Sequence, residues 1–359
     1  MKKVCFLIGN LSNSGGTERV TSLIANELVK QRDYDISILS LVDGKKPFFD
    51  LDSNIKIYSL YDKKISFKSN FFKTVWKIRK FVQEYKINNL IVVDSISCIF
   101  TIPALLGVKV NHICWEHFNF KNNNGVKLRD ISRMLAAKYC DFIVTLTERD
   151  KNIWFQNLKK INANIINIPN PCPFISQNNS KVKNKKTVLA VGRLTHVKGF
   201  DMLLEAWINV IKVMPEWKLK IVGDGEEKKK LLNFINNNNL IDHVELIGNT
   251  NYINKYYEEA DIFCLSSHFE GFPMVLLEAQ SYALPIVSFD CDTGPAEIIE
   301  NHVNGILVNS GSVNQLSIAL LEVINLSDIE YEKMSKNALK SSVRYTINSV
   351  INQWLNVIK

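Results

Sequence analysis

The stretch TVLAVGRLTHVKGFD, residues 187–201, decides the fold of this 359-residue chain. Apolar, mostly β-branched residues fill its first five positions and predict a buried strand, which ends at Gly192. Arg193 and Lys198 follow in a loop, and Gly199 precedes a helix. A strand, a glycine turn and a helix in this order predict one βαβ unit of a parallel sheet.

The same alternation extends in both directions from this stretch. Strand-like runs precede it at residues 3–8, 35–41, 90–93, 110–115 and 142–146, and LKIVGDG, VELIG, ADIFCLSS and LPIVSFD follow it. The pattern predicts an α/β protein with two parallel sheets, each in its own Rossmann-like domain.

A polar segment rich in proline and amides, NIPNPCPFISQNNSKVKNKK, separates the two series of strands. It has no helical or strand periodicity, which is typical of a linker. We therefore predict an N-terminal domain over residues 1–170 and a C-terminal domain over residues 171–340. Residues 341–359 end in a helix with one apolar face, and packing back on the N-terminal domain is one option for it.

Composition narrows the class of protein. A hydrophobic content of 46% in 359 residues suits two ordinary cores and excludes a disordered chain. The seven cysteines are scattered without CxxC spacing, as in a reducing cytoplasm. The N-terminal apolar run ends too early for a signal peptide, and the run from Leu90 to Val108 contains Asp94 and Pro103, so neither is expected to enter a membrane.

The net charge of +8 favours contact with polyanions such as nucleotide phosphates, nucleic acid or an anionic membrane leaflet. A nucleic-acid partner is not expected, because no helix-turn-helix, RNP or zinc pattern accompanies the charge.

Three loops contain residues suited to binding an anion or a sugar. Gly15 and Gly16 precede a helix and would let backbone N–H groups approach an anion, although a plain turn explains them too. Arg193 and Lys198 form a plausible diphosphate clamp at the carboxyl end of a strand, and the alternative is a pair of solvated charges.

The third loop, SSHFEGFPMVLLEAQ, places Glu270 just after a strand and Glu278 on a helix that starts near Pro273. Carboxylates so placed can accept hydrogen bonds from sugar hydroxyls. The alternatives are complementation of the helix dipole for Glu270 and a surface position for Glu278.

GGTERV, VGRLTHVKG and the Glu270-x7-Glu278 element, in this order, resemble family 4 of the GT-B glycosyltransferases over nearly the whole chain. The resemblance implies two Rossmann-like domains facing a central cleft, a retaining mechanism, and a nucleotide-diphosphate sugar as donor. It implies no metal and no other cofactor.

The resemblance also implies roles for individual residues. Arg193 and Lys198 would bind the donor diphosphate, and Glu278 would hold the ribose hydroxyls. Glu270, with the backbone of residues 271–273 (Gly271, Phe272 and Pro273), would contact the donor sugar and a phosphate. Gly15 and Gly16 would line the cleft from the other domain.

His117 ends a first-domain strand, at the sheet edge where ligands bind in such folds. In related enzymes a histidine here touches the donor sugar, so we expect a catalytic role, with a structural histidine as the alternative. Thr293, Gly294 and Pro295 either face the donor or form a turn between a strand and a helix.

Three D-x-D patterns, at residues 33–35, 50–52 and 290–292, match the motif of metal-dependent transferases with the other fold. Three matches among 36 acidic residues show how little the pattern specifies. Because Arg193 and Lys198 supply the same positive charge, we expect no metal site.

The segment FKSNFFKTVWKIRKFVQEYK, residues 67–86, predicts a basic amphipathic helix with a broad apolar side. It either packs on its sheet or contacts anionic lipid on the inner face of the cell membrane.

The predicted function is that of a cytoplasmic glycosyltransferase. It would move a sugar, from UDP by preference, to a saccharide acceptor, and a lipid-linked oligosaccharide of a bacterial surface polysaccharide is the expected acceptor. The alternatives are a nucleotide-sugar epimerase with the same architecture and a non-catalytic scaffold subunit. Retention of Arg193, Lys198, Glu270 and Glu278 argues against a scaffold.

Overall fold

The computed structural model describes residues 1–123, 125–174 and 181–358, so residues 175–180 of the predicted linker lie outside the described residues. The chain forms two compact units. Unit 1 contains Met1–Pro171 together with the residues from Ile347 onward, and unit 2 contains Cys172–Thr346. The division after Pro171 lies within two residues of the boundary that the linker composition predicts.

Unit 1 is built on a seven-stranded parallel sheet with the order β3-β2-β1-β4-β5-β6-β7. Its strands are β1 (Lys2–Ile8), β2 (Tyr34–Ser40), β3 (Lys56–Ser59), β4 (Asn89–Val93), β5 (Asn111–Trp115), β6 (Phe142–Thr145) and β7 (Asn164–Asn167). The chain order reverses between β1 and β4, and ligands of open α/β sheets bind beside such a reversal, at the carboxyl ends of the strands.

The helices of unit 1 connect these strands. They are α1 (Gly16–Leu28), α2 (Phe71–Glu84), α3 (Cys98–Leu105), α4 (Lys127–Tyr139) and α5 (Glu148–Asn157). The last helix, α13 (Ile347–Leu355), contacts α1 and stacks Trp354 edge-on against Trp115 of β5, with the ring centroids 4.8 Å apart. The end of the chain is thus part of the first unit, where aromatic packing anchors it.

Unit 2 has a six-stranded parallel sheet with the order β10-β9-β8-β11-β12-β13, which reverses between β8 and β11. The strands are β8 (Thr187–Val191), β9 (Lys218–Val222), β10 (Val244–Gly248), β11 (Ile262–Leu265), β12 (Ile286–Asp290) and β13 (Gly305–Asn309). The helices are α6 (Phe200–Val213), α7 (Lys228–Asn237), α8 (Ile253–Glu259), α9 (Met274–Ser281), α10 (Pro295–Ile298), α11 (Val313–Asn325) and α12 (Asp328–Ser342).

Each unit has its own hydrophobic core, formed by the sheet and the apolar faces of its helices. All seven cysteines lie within the described residues and are buried free thiols, as their scatter predicts. Among the described helices, none combines the length and the apolar character that a membrane span requires.

The predicted strands are confirmed, with ends that shift by one or two residues. Sequence reasoning missed β3, β7 and β13, which are only four or five residues long. Two of them, β3 and β7, have mostly half-buried side chains at the outer part of their sheet, so they lack the apolar run that identifies the central strands.

Candidate functional site

Two of the predicted residues of unit 2, Lys198 and Glu270, meet at the reversal of its sheet. Lys198 lies in the loop that follows β8, and Glu270 lies in the loop that follows β11. These two strands are neighbours in space although about 70 residues separate the loops in sequence, and the order of the sheet reverses between them. Parallel pairing therefore brings both loops to one edge, the position where open α/β sheets bind ligands.

Lys198 and Glu270 are in direct contact. The Lys198 ammonium donates to Glu270 Oε1 at 2.7 Å, and the Ser267 hydroxyl donates to the same oxygen at 2.6 Å. The lysine side chain is 26% exposed and the glutamate side chain 9% exposed. The pair is thus a preformed polar group at the protein surface, with lysine N–H donors still within reach of a ligand.

Backbone contacts hold the two loops together. The Ser266 hydroxyl donates to Lys198 O at 3.0 Å, and the His268 N–H donates to Val197 O at 2.9 Å. The rings of His196 and His268 stack nearly parallel, with their centroids 4.9 Å apart. Burial, followed by the neighbouring His196, lowers the pKa of His268, so the neutral form of His268 is favoured in the stack.

Gly199 makes this approach possible. Its φ of +61° is in the left-handed region, and a Cβ atom would lie 2.1 Å from Ser266 O. Any other residue would therefore push apart the loops that hold Lys198 and Glu270.

The loop after β12 supports the Glu270 loop. The Thr293 hydroxyl donates to Glu270 O at 2.6 Å. Gly294 has a φ of +97°, and a Cβ atom there would lie 2.5 Å from Pro273 Cδ. Phe272 is buried, and its ring packs edge-on against Tyr345. Thr293 therefore contacts the backbone of the Glu270 loop and lies just before the turn that starts α10. Contact of residues 293–295 with the donor stays a prediction.

Arg193 has a different environment from Lys198. Its side chain is 76% exposed, and its Nη2 atom lies 3.8 Å from Glu226 Oε2, an exposed partner. Surface ion pairs of this kind stabilise the fold little, so the guanidinium retains its capacity to bind a ligand phosphate.

Glu278 is buried inside unit 2. It lies on α9, which begins after Pro273 as predicted, and its residue is 2% exposed. The Tyr257 hydroxyl donates to Glu278 Oε2 at 2.7 Å. The alternative of a surface position for Glu278 is therefore wrong. Its role toward a ribose stays a prediction, and the bond from Tyr257 fixes one of its oxygens beforehand.

Gly15 and Gly16 begin α1 in unit 1. Gly15 is the residue before the helix and has a φ of −79°, so neither a left-handed backbone nor a tight turn requires glycine there. A Cβ atom on Gly15 would meet only the flexible Glu18 carboxylate, at 2.4 Å, and one on Gly16 would meet nothing within 4 Å. The space beside this helix start is open, as contact with a ligand requires.

His117 follows β5 in unit 1. Its ring packs against Trp115, with the centroids 4.4 Å apart, and its Nε2 atom is buried without a hydrogen-bond partner among the described residues. Burial lowers the pKa of His117 to about 4, so the imidazole is neutral at physiological pH. A buried nitrogen without a partner is costly, and a ligand hydroxyl would relieve that cost.

Glu116, next to His117, joins a buried ionic network that the sequence did not reveal. Its carboxylate accepts from Arg133 Nε at 2.9 Å and from the Ser95 hydroxyl at 2.5 Å. The Arg133 guanidinium, fully buried, also donates to the backbone oxygens of Phe120 and Asn119 at 2.6 and 3.0 Å. Helix α4 therefore fixes the loop that contains His117.

Asp94, at the end of β4, extends this network. It has a φ of +78°, a strained value for a residue with a side chain, and it pairs with Arg129 of α4. Burial, reinforced by nearby Glu116, raises the pKa of Asp94 to about 6. Backbone strain and a shifted pKa at a sheet reversal are typical of functional sites.

One group of side chains in unit 1 has the residue types of a metal site. Among the described residues, Cys98, His112 and Cys140 bring three possible ligand atoms within 4.8 Å of one another. His112 Nε2 already pairs with the Thr101 hydroxyl at 2.9 Å, and Cys140 Sγ lies almost equally far from both ring nitrogens, at 3.6 and 3.9 Å. Burial raises the pKa of Cys140, which disfavours the thiolate that a metal needs. This group fits a neutral core contact better than a metal centre.

Each D-x-D pattern has at least one acidic residue with an interaction within the chain. The Asp35 carboxylate binds the Lys56 ammonium at 2.8 Å, and Asp52 Oδ1 accepts from the backbone N–H of Asn54 at 2.9 Å. In the third pattern, Asp290 ends β12, and both Asp290 and Asp292 interact with other residues of the chain.

Sequence reasoning missed the residues that support the predicted ones: Asp94, Glu116, Arg129, Arg133, His196, Ser267 and His268. Two signals were available. Ser267 and His268 lie three and two positions before Glu270 in SSHFEG, and Arg129 and Arg133 recur at the spacing of one helix face.

Comparison with known proteins identifies the family of the chain. The family described as Glycosyl transferases group 1 matches residues 173–341. An uncharacterized glycosyltransferase of Haemophilus influenzae is 38% identical over 358 residues, and the amylovoran biosynthesis glycosyltransferase AmsD of Erwinia amylovora is 32% identical over 370 residues. Both alignments span the full length of both chains.

A third relative has a more specific name. It is the GalNAc-alpha-(1->4)-GalNAc-alpha-(1->3)-diNAcBac-PP-undecaprenol alpha-1,4-N-acetyl-D-galactosaminyltransferase of Campylobacter jejuni. It is 28% identical over 366 residues, covering 100% of this chain and 98% of the relative.

Solved structures share the fold at lower identity. The lipopolysaccharide outer core galactosyltransferase WaaB aligns with a TM-score of 0.80 at 22% identity, over 99% of both chains. HepE of Anabaena, solved in complex with UDP, aligns with a TM-score of 0.81 at 17% identity, also over 99% of both chains. Two full-length relatives exceed 30% identity, the family model matches unit 2, and both units are Rossmann-like. The chain therefore belongs to the group 1 glycosyl transferases and is a glycosyltransferase with the GT-B fold.

Proposed function

We propose that this protein is a retaining, metal-independent glycosyltransferase that moves a sugar from a UDP-sugar to a lipid-linked saccharide. The product would be an intermediate of a bacterial surface polysaccharide, such as a capsule, an O-antigen or an exopolysaccharide. AmsD, named for amylovoran biosynthesis, supports the pathway class, and the UDP complex of HepE supports the nucleotide.

The contact between Lys198 and Glu270 is the observation on which the proposal rests. It joins a cation and a carboxylate at the reversal of the unit 2 sheet. A bond between the two loops and a bond from the loop after β12 hold it in place. The cation suits a diphosphate and the carboxylate suits sugar hydroxyls, so one donor molecule can use both.

In the proposed reaction the bond between the anomeric carbon and the diphosphate oxygen breaks, and the nucleotide leaves with the electron pair. Lys198 and Arg193 stabilise the negative charge that develops on the leaving phosphate. A cation about 4 Å from a phosphate contributes roughly 4 kcal/mol of gross Coulomb energy at an effective dielectric near 20. The acceptor hydroxyl attacks from the face that the nucleotide leaves, and its proton passes to the departing phosphate.

Unit 1 supplies the acceptor side in this proposal. From the same unit, the neutral imidazole of His117, with its unpaired Nε2 atom, contacts a hydroxyl of the donor sugar near the anomeric carbon. The network of Glu116 and Arg133 keeps the His117 loop in one position, which lowers the cost of ordering it during the reaction. The undecaprenol-linked acceptor in the name of the Campylobacter relative supports a lipid-linked saccharide, to be met at the cytoplasmic membrane face.

Transfer assays with the purified chain test the proposal. The donors are UDP, GDP, ADP and TDP sugars, and the acceptors are polyprenyl-diphosphate saccharides, with and without EDTA. We expect one UDP-sugar to give a product that retains the anomeric configuration by NMR, at a rate that EDTA leaves unchanged.

Other outcomes identify the competing functions. Formation of an epimer from donor alone would favour a nucleotide-sugar epimerase. Absence of turnover with all donors, although a UDP-sugar still raises the melting temperature, would favour a scaffold. Loss of activity in EDTA and recovery with a divalent cation would refute metal independence.

A further inference from the structure

Helices α2, α3 and α4 form a continuous row on the unit 1 sheet, with α3 in contact with both neighbours and all three contributing to one core. This row exposes most of the large apolar side chains at the surface of unit 1. Among the described residues, eight of the eleven lie on these helices or directly beside their ends: Phe72, Trp76, Leu106, Val126, Leu128, Ile131, Met134 and Tyr139. Single exposed apolar residues are ordinary, but such a concentration indicates an interaction surface.

The exposed side chains of α2 do not belong to its core face. Phe72 is 84% exposed and Trp76 59% exposed, and their spacing of four residues puts them on one face. Ile78 and Phe81 are buried on the opposite face. Packing on the sheet therefore accounts for most of the broad apolar side that the sequence predicts, and Phe72 and Trp76 are the part of it that faces solvent.

Helix α4 has the same division. Arg129 and Arg133 point inward to the network beside His117, whereas Ile131 and Met134 are exposed on the outer face. The helix that positions the His117 loop thus also forms part of the exposed apolar surface.

The charge of this region is strongly biased. Residues 63–140 contain fourteen Lys and Arg residues and four Asp and Glu residues. This excess of ten positive charges is larger than the net +8 of the entire chain, so the remaining residues are net negative. Residues 63–83 contain no acidic residue, and the lysines that surround Phe72 and Trp76 are exposed: Lys63, Lys64, Lys68, Lys73 and Lys80.

Exposed aromatic rings among lysines match the surface of a membrane with anionic lipids. Trp and Phe side chains partition into the boundary between headgroups and acyl chains, while lysines remain among anionic headgroups. Each basic residue near such a surface strengthens binding about fivefold. A second copy of the chain is a poor match, since its equivalent surface has the same charge.

We propose that the outer face of α2, α3 and α4 docks on a membrane with anionic headgroups. The surface would insert Phe72 and Trp76 and hold the carboxyl end of β5, with His117, close to lipid-linked acceptors. The proposal rests on the proposed function for the identity of the acceptor, but membrane binding itself requires neither donor nor acceptor.

Vesicle sedimentation of the full chain tests the docking. The vesicles contain phosphatidylcholine alone or with about one third phosphatidylglycerol, at two salt concentrations. The variants are Phe72→Ser with Trp76→Ser, and Lys73→Glu with Lys80→Glu. The matched control is Ile329→Ser, which removes an 82% exposed side chain from unit 2.

We expect the wild type and the control to bind only the anionic vesicles, more weakly at high salt. Each double variant should lose at least tenfold in binding while its melting temperature stays unchanged. The variants should retain transfer to a soluble short saccharide acceptor and lose transfer to an acceptor embedded in vesicles.

Two results would overturn the proposal. One is equal binding by the wild type and both double variants, or no binding at all. The other is a dimer of the wild type, by light scattering, that Phe72→Ser with Trp76→Ser dissolves, because the surface would then bind a second copy. Binding to vesicles without any glycosyl transfer would instead refute the proposed function and leave the docking surface intact.

Discussion

Replacement of Arg133 by Met should open the loop that contains His117. The guanidinium is fully buried and donates to Glu116 Oε2 at 2.9 Å, and to the oxygens of Phe120, Asn119 and Asn122 at 2.6, 3.0 and 3.1 Å. Methionine matches the length and apolar character of the arginine stem, but it has no donors.

The size of the effect follows from the charge left behind. Without Arg133, the buried Glu116 carboxylate keeps the Ser95 hydroxyl, the Phe118 N–H and an arginine, Arg129, whose Nη1 atom is 3.8 Å away. Removal of one partner of a buried ion pair costs about 3–5 kcal/mol. The equilibrium constant for opening of the loop should therefore rise about 150- to 5,000-fold. The upper limit is set by the free energy of global unfolding, above which local opening no longer dominates exchange.

Hydrogen exchange measured by mass spectrometry reports this opening for each segment. We expect faster exchange in peptides covering residues 116–122 and unchanged exchange in β8 of unit 2. Lys138→Met is the matched control, because it removes a cation from the exposed side of the same helix. Glu116→Gln combined with Arg133→Met should recover part of the loss, because no uncompensated carboxylate remains. Exchange in Arg133→Met within about threefold of the wild type would refute the reasoning, because removal of one partner of a buried ion pair should cost much more free energy than that ratio corresponds to.

Lys198→Ala should lower kcat by roughly a hundred- to a thousandfold, since a cation beside the leaving phosphate is lost, and Lys212→Ala on α6 is its control. His117→Gln should lower kcat/KM about tenfold or more, because a hydrogen bond to the sugar is lost. The pH-rate profile of the wild type should have no limb near pH 6.5 from His117, because its pKa of about 4 keeps the imidazole neutral there. Burial raises the pKa of Asp150 from 3.8 to about 7, so the folded state retains a proton that the unfolded chain releases. The unfolding free energy should therefore fall as pH rises from about 4 to about 7, by up to about 1.4 kcal/mol per pH unit, and calorimetry should find this slope removed in Asp150→Asn.

These expectations can fail separately. Wild-type turnover in Lys198→Ala would remove this lysine from the reaction. A limb near pH 6.5 in the pH-rate profile that disappears in His117→Gln would mean that the imidazole is accessible to solvent and has an ordinary pKa. If Asp150→Asn keeps the slope, another group is responsible for the pH dependence.

The architecture was predictable because parallel strands buried on both faces are apolar runs, and the glycine turns between strands and helices are local features. The outer strands β3 and β7 were missed because their half-buried side chains give no continuous apolar run. The residues of unit 2 were found through loop motifs, in which Lys198 and Glu270 each have a recognisable neighbourhood.

Partners of those residues were not predictable. Tyr257 lies 21 positions from Glu278, and Arg133 lies 17 positions from Glu116, with no motif joining either pair. Such contacts depend on how helices pack on a sheet, which local sequence does not encode.

The amino-acid sequence by itself determined the two α/β units, the loops at their strand ends and the basic, aromatic character of α2. Tertiary structure alone decided that Lys198 meets Glu270, that Glu278 is buried, and that Phe72 and Trp76 face outward. The physical reason is that strand order and burial are properties of the assembled sheet: residues far apart in the chain become neighbours only when parallel pairing brings their loops to one edge.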